Sequence, residues 1–505
     1  MSQSMIKPVI GSFLVKFDMK KGNTLVWSRN CELFQKKSSS SLAFKAMPSG
    51  IHDEINDTIC FTATNSDNKS LYMGLSIFMQ NSFELINSEL QSKVDLQNKH
   101  MINRNKIKMF SFAIILDIKI NEPNDNLSDI VNSNIQFYSN HLYSTLKLWL
   151  SQNNTDNAHN KSIPNTTILE NFHNNYHQNP TIFTTKSISP AHDSIKQSFI
   201  DDVKYWLEEL GPLLFILWKS ILLNERILIL NLSNEKVFKI NALCNFIKLI
   251  PINQTLLSSL SSKSSTIPSN FLNLYTIGIS DLDDMKNILC NPNQGYIACT
   301  NDSLLEFKTE IFDKLIKIES NMEIGMRISV TDNDNNVIRA TPNDLRLSDY
   351  LFKLLNIQDE ISKNNFKKYN TMTESISWAQ FFWDELYLLM TAGYLKPSYQ
   401  NIKIDLPNDK QRLPDGLNDT IISLLIDIFQ AKNQGLHNSL ETIILSKEFD
   451  ELTDDTIYLH PSDLKALNLD CFSKQDFDFI IKLSKKWFNK NIEIAGFSDY
   501  LNIAC

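Results

Sequence analysis

Three groups of side chains in this sequence carry ligand or nucleophile chemistry. His173 and His177 stand four residues apart, the spacing at which one helix face could offer two imidazoles to a metal ion. No helix-forming pattern surrounds them, and zinc takes three or four ligands, so no metal site is expected there. Asp332, Asp334 and Asn336 imitate the opening ligands of a calcium loop. The sixth position, however, is Val337 where the sharp turn needs glycine, and the twelfth is Asn343 where a bidentate Glu would complete the shell. A β-turn between strands at 327–331 and 337–340 is expected instead. The seven cysteines (Cys31, Cys60, Cys244, Cys290, Cys299, Cys471 and Cys505) are scattered, the closest pair nine apart, and none makes a Cys-x-x-Cys unit. That pattern points to reduced thiols in a cytoplasmic protein, without a zinc or disulfide framework.

Nucleotide chemistry is also excluded by spacing. The junction Leu230-Asn231-Leu232-Ser233-Asn234-Glu235 lies between an expected strand and an expected helix but contains no glycine. It therefore lacks the close backbone approach to a pyrophosphate that glycine-rich fingerprints provide. No G-x-x-x-x-G-K-[ST] occurs either, which argues against a dinucleotide dehydrogenase or a P-loop NTPase. No nucleophile, triad or metal cluster emerges, so neither a cofactor nor a metal is expected.

The elements around these residues are organised on the stretch from Ser194 to Leu230. Ile195, Phe199, Val203, Trp206 and Leu210, then Leu213, Leu217 and Ile221, recur at helical spacing. Gly211-Pro212 divides them into two helices meeting at a bend, because proline cannot continue a helix interior but suits a first turn. Residues 227–230, four apolar side chains without alternation, read as a strand covered on both faces. Upstream, strands are expected at 9–18, 24–28, 58–62, 71–79 and 109–120, with a polar helix near 83–94 and a longer one over 129–150. Downstream, a helix at 235–249, a serine-rich loop at 258–269 and strands at 271–277 and 296–300 suggest parallel strands under helices. The last third reads as mostly helical: 345–355 behind a Thr341-Pro342-Asn343-Asp344 start, a buried helix over 376–390, further helices at 420–430, 437–445 and 474–489, and a strand at 491–494.

The expected division is a lobe at 1–150, an asparagine-rich disordered linker at 151–189, a central α/β lobe at 190–330 and a mostly helical region at 331–505. Nine of the thirty-nine linker residues are asparagine, and apolar periodicity is lost there. The chain has 505 residues, a formal charge of −8, 42% hydrophobic and 10% aromatic residues. Such composition is globular and disfavours nucleic-acid binding through phosphates. No signal-peptide profile and no apolar run approaching the ~20 residues of a membrane span is present, and Cys505 stands last rather than fourth from the end as prenylation requires. Any membrane contact is expected to be peripheral.

Several segments resemble the DENN superfamily, most closely its LCHN branch and the related fungal proteins. VIGSFLVKFDMKKGNTLVWS is similar to the first hairpin of that family's longin lobe, and LAFKAMPSGIHDEINDTICF to its phenylalanine-lysine, then proline-serine-glycine stretch. LYMGLSIFMQN and NRNKIKMFSFAII resemble the next strand and the approach to the long one. SPAHDSIKQSFI with GPLLFILWKSILLNERILIL, which carries a Leu-Trp-Lys signature, resembles the entry to the central lobe. GYIACTNDSLLEFKTEIFD resembles its later strand pair, and LHPSDLKALNLDCFSKQDFDFIIKLSKKWF a closing element. The resemblance covers nearly the whole chain apart from the linker.

What it implies is a mixed α+β and α/β chain: a longin-like lobe, a DENN α/β lobe and a helical C-terminal region, with the first two forming a cleft for a small GTPase of the Rab type. Such a protein promotes GDP release in vesicle trafficking by binding the empty GTPase better than the loaded one, and needs no acid–base pair. A second implication concerns Arg104, since some longin–DENN relatives place an arginine finger near this position to stabilise the transition state of GTP hydrolysis. Read by itself, Arg104-Asn105-Lys106-Ile107-Lys108 is a solvated basic turn. A trafficking adaptor that keeps the fold and accelerates nothing is the third reading.

Overall fold

The computed structural model describes residues 6–34, 40–48, 54–65, 70–80, 108–122, 127–153, 165–177, 199, 202–248, 271–283, 285, 294–321, 325–355, 363–376, 381–382, 418–450 and 456–494. The first lobe is an antiparallel sheet of β1 (Val9–Asp18), β2 (Gly22–Arg29), β3 (Asn56–Thr64), β4 (Leu71–Gln80) and β5 (Met109–Lys119), in the order β3-β4-β5-β1-β2. Strand alternation sends side chains to two faces. Phe13, Val15, Ile59, Phe61 and Ile115 meet α1 (Ser40–Lys45) on one side. Leu14, Leu75, Ile77, Phe112 and Ile114 meet α2 (Leu127–Asn153) and α3 (Thr167–His177) on the other.

Helix α3 corrects the reading of a disordered linker for residues 167–177; residues 154–164 and 178–189 lie outside the described ones. Leu169, Phe172, His173 and Tyr176 fall at helical spacing and are all buried, and Asn171, Asn174 and Asn175 occupy the exposed face, where they do not oppose folding. Phe172 packs edge-on against Phe112 of β5 with ring centres 5.2 Å apart.

In the central lobe, α4 (Val203–Leu210) and α5 (Leu213–Leu222) meet at the expected bend. Gly211 has φ +49°, and a Cβ there would lie 2.4 Å from the Tyr369 ring, so both conformation and space demand glycine. Every residue of α5 is buried. Strands β6 (Ile227–Leu232), β7 (Leu272–Thr276), β8 (Tyr296–Thr300) and β9 (Lys314–Asn321) run parallel, in the order β9-β6-β8-β7. Helix α6 (Val237–Lys248) packs on them. The expectation for 227–230 is met: Ile227 and Ile229 enter one core while Leu228 and Leu230 enter the other. Beyond β9, β10 (Gly325–Asp332) and β11 (Val337–Ile338) add antiparallel. The sheets of both lobes are continuous, eleven strands in the order β11-β10-β9-β6-β8-β7-β3-β4-β5-β1-β2.

The boundary expected at 330 falls inside β10. The physical reason is a shared core: α4, α5 and α6 bury their apolar faces against α7 (Pro342–Leu354), α8 (Lys363–Met372), α9 (Asn418–Asp450) and α11 (Lys474–Phe488), in one cluster reaching from Val203 to Ile492. A short α10 (Pro461–Ala466) and a parallel pair, β12 (Thr456–Leu459) with β13 (Asn491–Ile494), complete this region. Helix α7 starts as expected, the Asp344 amide donating to Thr341 Oγ1 (3.1 Å) and the Thr341 amide to Asp344 Oδ2 (3.0 Å). Two expectations change. The helices at 420–430 and 437–445 are one, α9, because Gly435 interrupts the apolar pattern without breaking the backbone. The stretch 376–390 is expected to be buried, yet its described apolar residues Ile376, Phe381 and Phe382 are exposed; the other positions, like the expected helix at 83–94 and the loop at 258–269, lie outside the described residues.

Candidate functional site

The two lobes join along a seam where β3 lies beside β7, Phe61 opposite Thr276. A single strand bridge would be weak, and buried polar contacts reinforce it. Thr62 Oγ1 donates to the Leu274 carbonyl across the seam (2.6 Å). Asn241, on α6, accepts from the Cys60 amide of β3 (2.8 Å) and donates to Thr276 Oγ1 and Cys299 Sγ (3.1 Å each). One amide side chain thus ties three strands together.

Asp57, near the start of β3, accepts hydrogen bonds from the Val237 amide (2.7 Å) and the Phe238 amide (3.4 Å) at the N-terminus of α6, and from Thr58 (2.7 Å). A helix N-terminus leaves its first amides without partners and carries partial positive charge, so the first lobe supplies the cap for a helix of the second. Burial pushes the Asp57 carboxyl up to about 7, against the pull of these amides and of Lys236.

On the same seam, Lys45 of α1 forms a buried ion pair with Asp281 (2.5 Å) and donates to the Thr62 carbonyl (2.6 Å). Asp281 in turn accepts from the Gly278 amide (2.9 Å). A Cβ at Gly278 would come within 2.8 Å of the Phe44 ring, so this position lets Phe44 of one lobe lie on the backbone of the other. Phe44 and Ile279 are both exposed. The seam therefore presents apolar side chains from both lobes above a buried charged lock, an arrangement suited to holding a protein surface.

The expected chemistry-bearing residues are placed as follows. Arg104 lies outside the described residues. His173 and His177 stack, ring centres 5.0 Å apart, but His173 uses Nδ1 with Ser12 Oγ (2.9 Å) and Nε2 with Asn30 Nδ2 (3.2 Å), while His177 Nδ1 donates to the Val9 carbonyl (2.8 Å). Their hydrogen bonds attach α3 to β1. The Asp332 carboxylate is taken up by the turn itself, accepting from the Asp334 and Asn336 amides and from Asn336 Nδ2; burial works to raise its pKa, but these donors outweigh it and hold it below the usual carboxylate range. Among the described residues no group of three or more His, Cys, Asp or Glu could hold a metal ion. The five described cysteines are buried and unbridged.

The Leu-Trp-Lys signature is a second lock. Trp218 Nε1 donates to Asn433 Oδ1 of α9 (2.7 Å). Lys219 donates to Asp344 of α7 (2.8 and 2.9 Å) and to Asp476 of α11 (2.6 Å). Burial opposes its charge, yet the two carboxylates outweigh burial and hold the ammonium well above the ordinary lysine value. Sequence reading alone missed Asp57, Asn241, Asp281, Asp344 and Asp476 as partners. The available signals were the Phe44-Lys45 and Trp218-Lys219 pairs, a lysine beside an aromatic ring inside an otherwise apolar run.

Comparison with known proteins agrees with this architecture. A family profile described as DENN domain-containing protein 11 matches residues 12–326. "Uncharacterized protein ANR2" of Saccharomyces cerevisiae is 30% identical over 517 aligned residues, covering 98% of this chain and 94% of that protein. "Uncharacterized protein C119.16c" of Schizosaccharomyces pombe is 23% identical over 287 residues, 57% of this chain and 52% of that one. The matched profile begins inside β1 and ends inside β10, taking in both lobes and the seam between them, and the chain belongs to the DENN domain-containing protein 11 family.

Proposed function

We infer that this chain is a guanine nucleotide exchange factor for a Rab-type small GTPase in membrane trafficking, of the LCHN-like branch, acting from the cytoplasm with peripheral contact to an organelle membrane. The observation that carries the reading is the extent of the family match, residues 12–326, which takes in strands of both lobes and the seam between them and ends inside β10. Exchange requires a surface that binds the nucleotide-free GTPase better than the loaded one. A seam locked by Lys45–Asp281, Asp57 and Asn241 supports that role, because a preorganised surface loses little binding energy to its own ordering. Among the described residues no helix is long and apolar enough to cross a membrane.

The test is release of a fluorescent GDP analogue from a panel of Rab-type GTPases, with and without excess full-length chain. Acceleration on one member, lowered by Phe44→Asp, supports exchange through the seam. Binding to a GTP-loaded member without accelerated release replaces exchange by an adaptor role, unless hydrolysis is stimulated and lost in Arg104→Ala, which would assign a GTPase activator with Arg104 as its finger.

A further inference from the structure

At the far end of the sheet from the seam, beyond β7, β8 and β6, a cavity of about 540 Å³ opens over β9, β10 and β11. Its floor is the outward row of the two longer strands: Lys317 and Glu319 from β9, with Arg327, Ser329 and Thr331 from β10. The intervening residues Ile316, Ile318, Ile328 and Val330 point the other way, into the core. The rim carries Phe307, 76% exposed, and Val337, 62% exposed.

Two details separate this surface from an ordinary solvated sheet face. Arg327 stands directly opposite Glu319 in the β9–β10 register, where Cβ atoms are about 4.5–5.5 Å apart, and yet the two form no ion pair, whereas neighbouring Lys317 is bound to Glu306. The Thr331 residue is 8% exposed and its hydroxyl is buried without a hydrogen-bond partner, although buried polar groups are nearly always satisfied. The surface thus holds one cation and one anion with no partner among the described residues and two protruding apolar side chains, over a buried unmet hydroxyl.

We propose that this face is a two-fold interface between two copies of the chain, with Arg327 of each copy paired to Glu319 of its partner. The argument is charge complementarity. A patch with one positive and one negative side chain on adjacent strands is its own complement after a two-fold rotation: Arg327 then meets Glu319 and Glu319 meets Arg327. Isologous pairing of this kind is the commonest route to a dimer. The shape agrees, since a cavity of this volume in each copy can receive the protruding Phe307 of the other. This pairing leaves the seam open, so a dimer would present two seams.

The test is the mass of the full-length chain in solution by analytical ultracentrifugation, over a roughly hundredfold range of concentration. A dimer is expected, with Arg327→Glu and Glu319→Arg each raising the dissociation constant by at least about tenfold, because like charges then face each other. Mixing the two variants should restore dimerisation at wild-type strength. In the mixed dimer the carboxylate introduced at position 327 of one copy faces the guanidinium introduced at position 319 of the other, while the second pair stays wild type. The double variant Arg327→Glu/Glu319→Arg should also dimerise. A monomer throughout the range overturns the proposal, and so does a dimer indifferent to either single reversal, which would place the contact elsewhere. Both substitutions are on an open face, and circular dichroism melts of the single variants keep misfolding distinct from lost association. None of these outcomes depends on exchange activity.

Discussion

His173 sits between β1 and α3 as a neutral ring, and its titration sets an acid limit for the first lobe. Burial pushes its pKa down to about 4, with further help from neighbouring His177 and Arg29. In the unfolded chain it returns to the ordinary value near 6.5. Between these values the unfolded state binds the extra proton, so stability is fully present above about 6.5 and falls as pH drops through the window toward 4. Melting temperatures measured from pH 7.5 to 4.5 should fall more steeply for the wild type than for His173→Asn, which cannot titrate; equal slopes would remove His173 from the account. The Lys219 substitution is harsher. Lys219→Ala leaves Asp344 and Asp476 buried without their cation, and breaking a buried pair by removing one partner costs about 3–5 kcal/mol. Burial already lifts the Asp476 carboxyl to about 6 with Lys219 present. A chemical denaturation midpoint within error of wild type would show that water or rearrangement replaces the ammonium. Residue identities at this scale were only half legible: Trp218-Lys219 is visible as a charge in an apolar run, but its acids lie 125 and 257 positions away, beyond the reach of any local spacing.

Elements were read best where one periodicity ran without interruption. The bend at Gly211-Pro212, the doubly covered β6 and the Thr341 start of α7 all follow from local chemistry, and all are present. Strand β9 is different: Ile316 and Ile318 point into one core, Leu315 on the opposite face is buried in the other, and only Lys317 and Glu319 beyond it form the open floor beneath Phe307. KLIKIESN therefore alternates only from Ile316 to Glu319, and its place in the sheet is set by β6 and β10. Helix α3 was hidden by composition, since asparagine signals disorder only where no apolar stripe lies beneath it. The cap of α6 was illegible for another reason: its acceptor, Asp57, belongs to a different lobe, 180 positions upstream. Asp57→Ala strips the acceptor from three buried amides, and cap loss together with unsatisfied donors predicts a destabilisation of about 2 kcal/mol. Asp57→Asn, which keeps one oxygen, should lose less. Hydrogen exchange supplies the discriminating readout: Val237 and Phe238 amides should lose protection first in the alanine variant, and unchanged protection there would mean that the helix does not depend on its trans cap.

For the whole molecule, the family profile ends at residue 326 but the physical unit does not. Helix α5 is buried on every side, and a helix of that kind must lie inside a core. Part of that core comes from beyond the profile: Leu347, Leu351 and Phe352 of α7, Phe429 and Leu440 of α9, and Phe479, Ile480 and Leu483 of α11 belong to the same cluster as Leu213, Leu217 and Ile221. The relative in Saccharomyces cerevisiae aligns over 98% of the chain, which fits a sequence whose last third is needed to complete the fold. A fragment ending at residue 330 would remove Asn433 from Trp218 and both acids from Lys219, and would open an apolar surface far beyond the few hundred Å² that soluble monomers tolerate. The fragment should therefore aggregate, eluting in the void volume on size exclusion and binding a hydrophobic dye, while the full chain does neither. Supplying residues 331–505 as a separate chain during expression should recover soluble material, because the lost contacts are between surfaces and not along the backbone. A monodisperse fragment melting cooperatively near the full-length temperature would show instead that the two-lobed sheet is self-sufficient and that the C-terminal helices are an appendage to it.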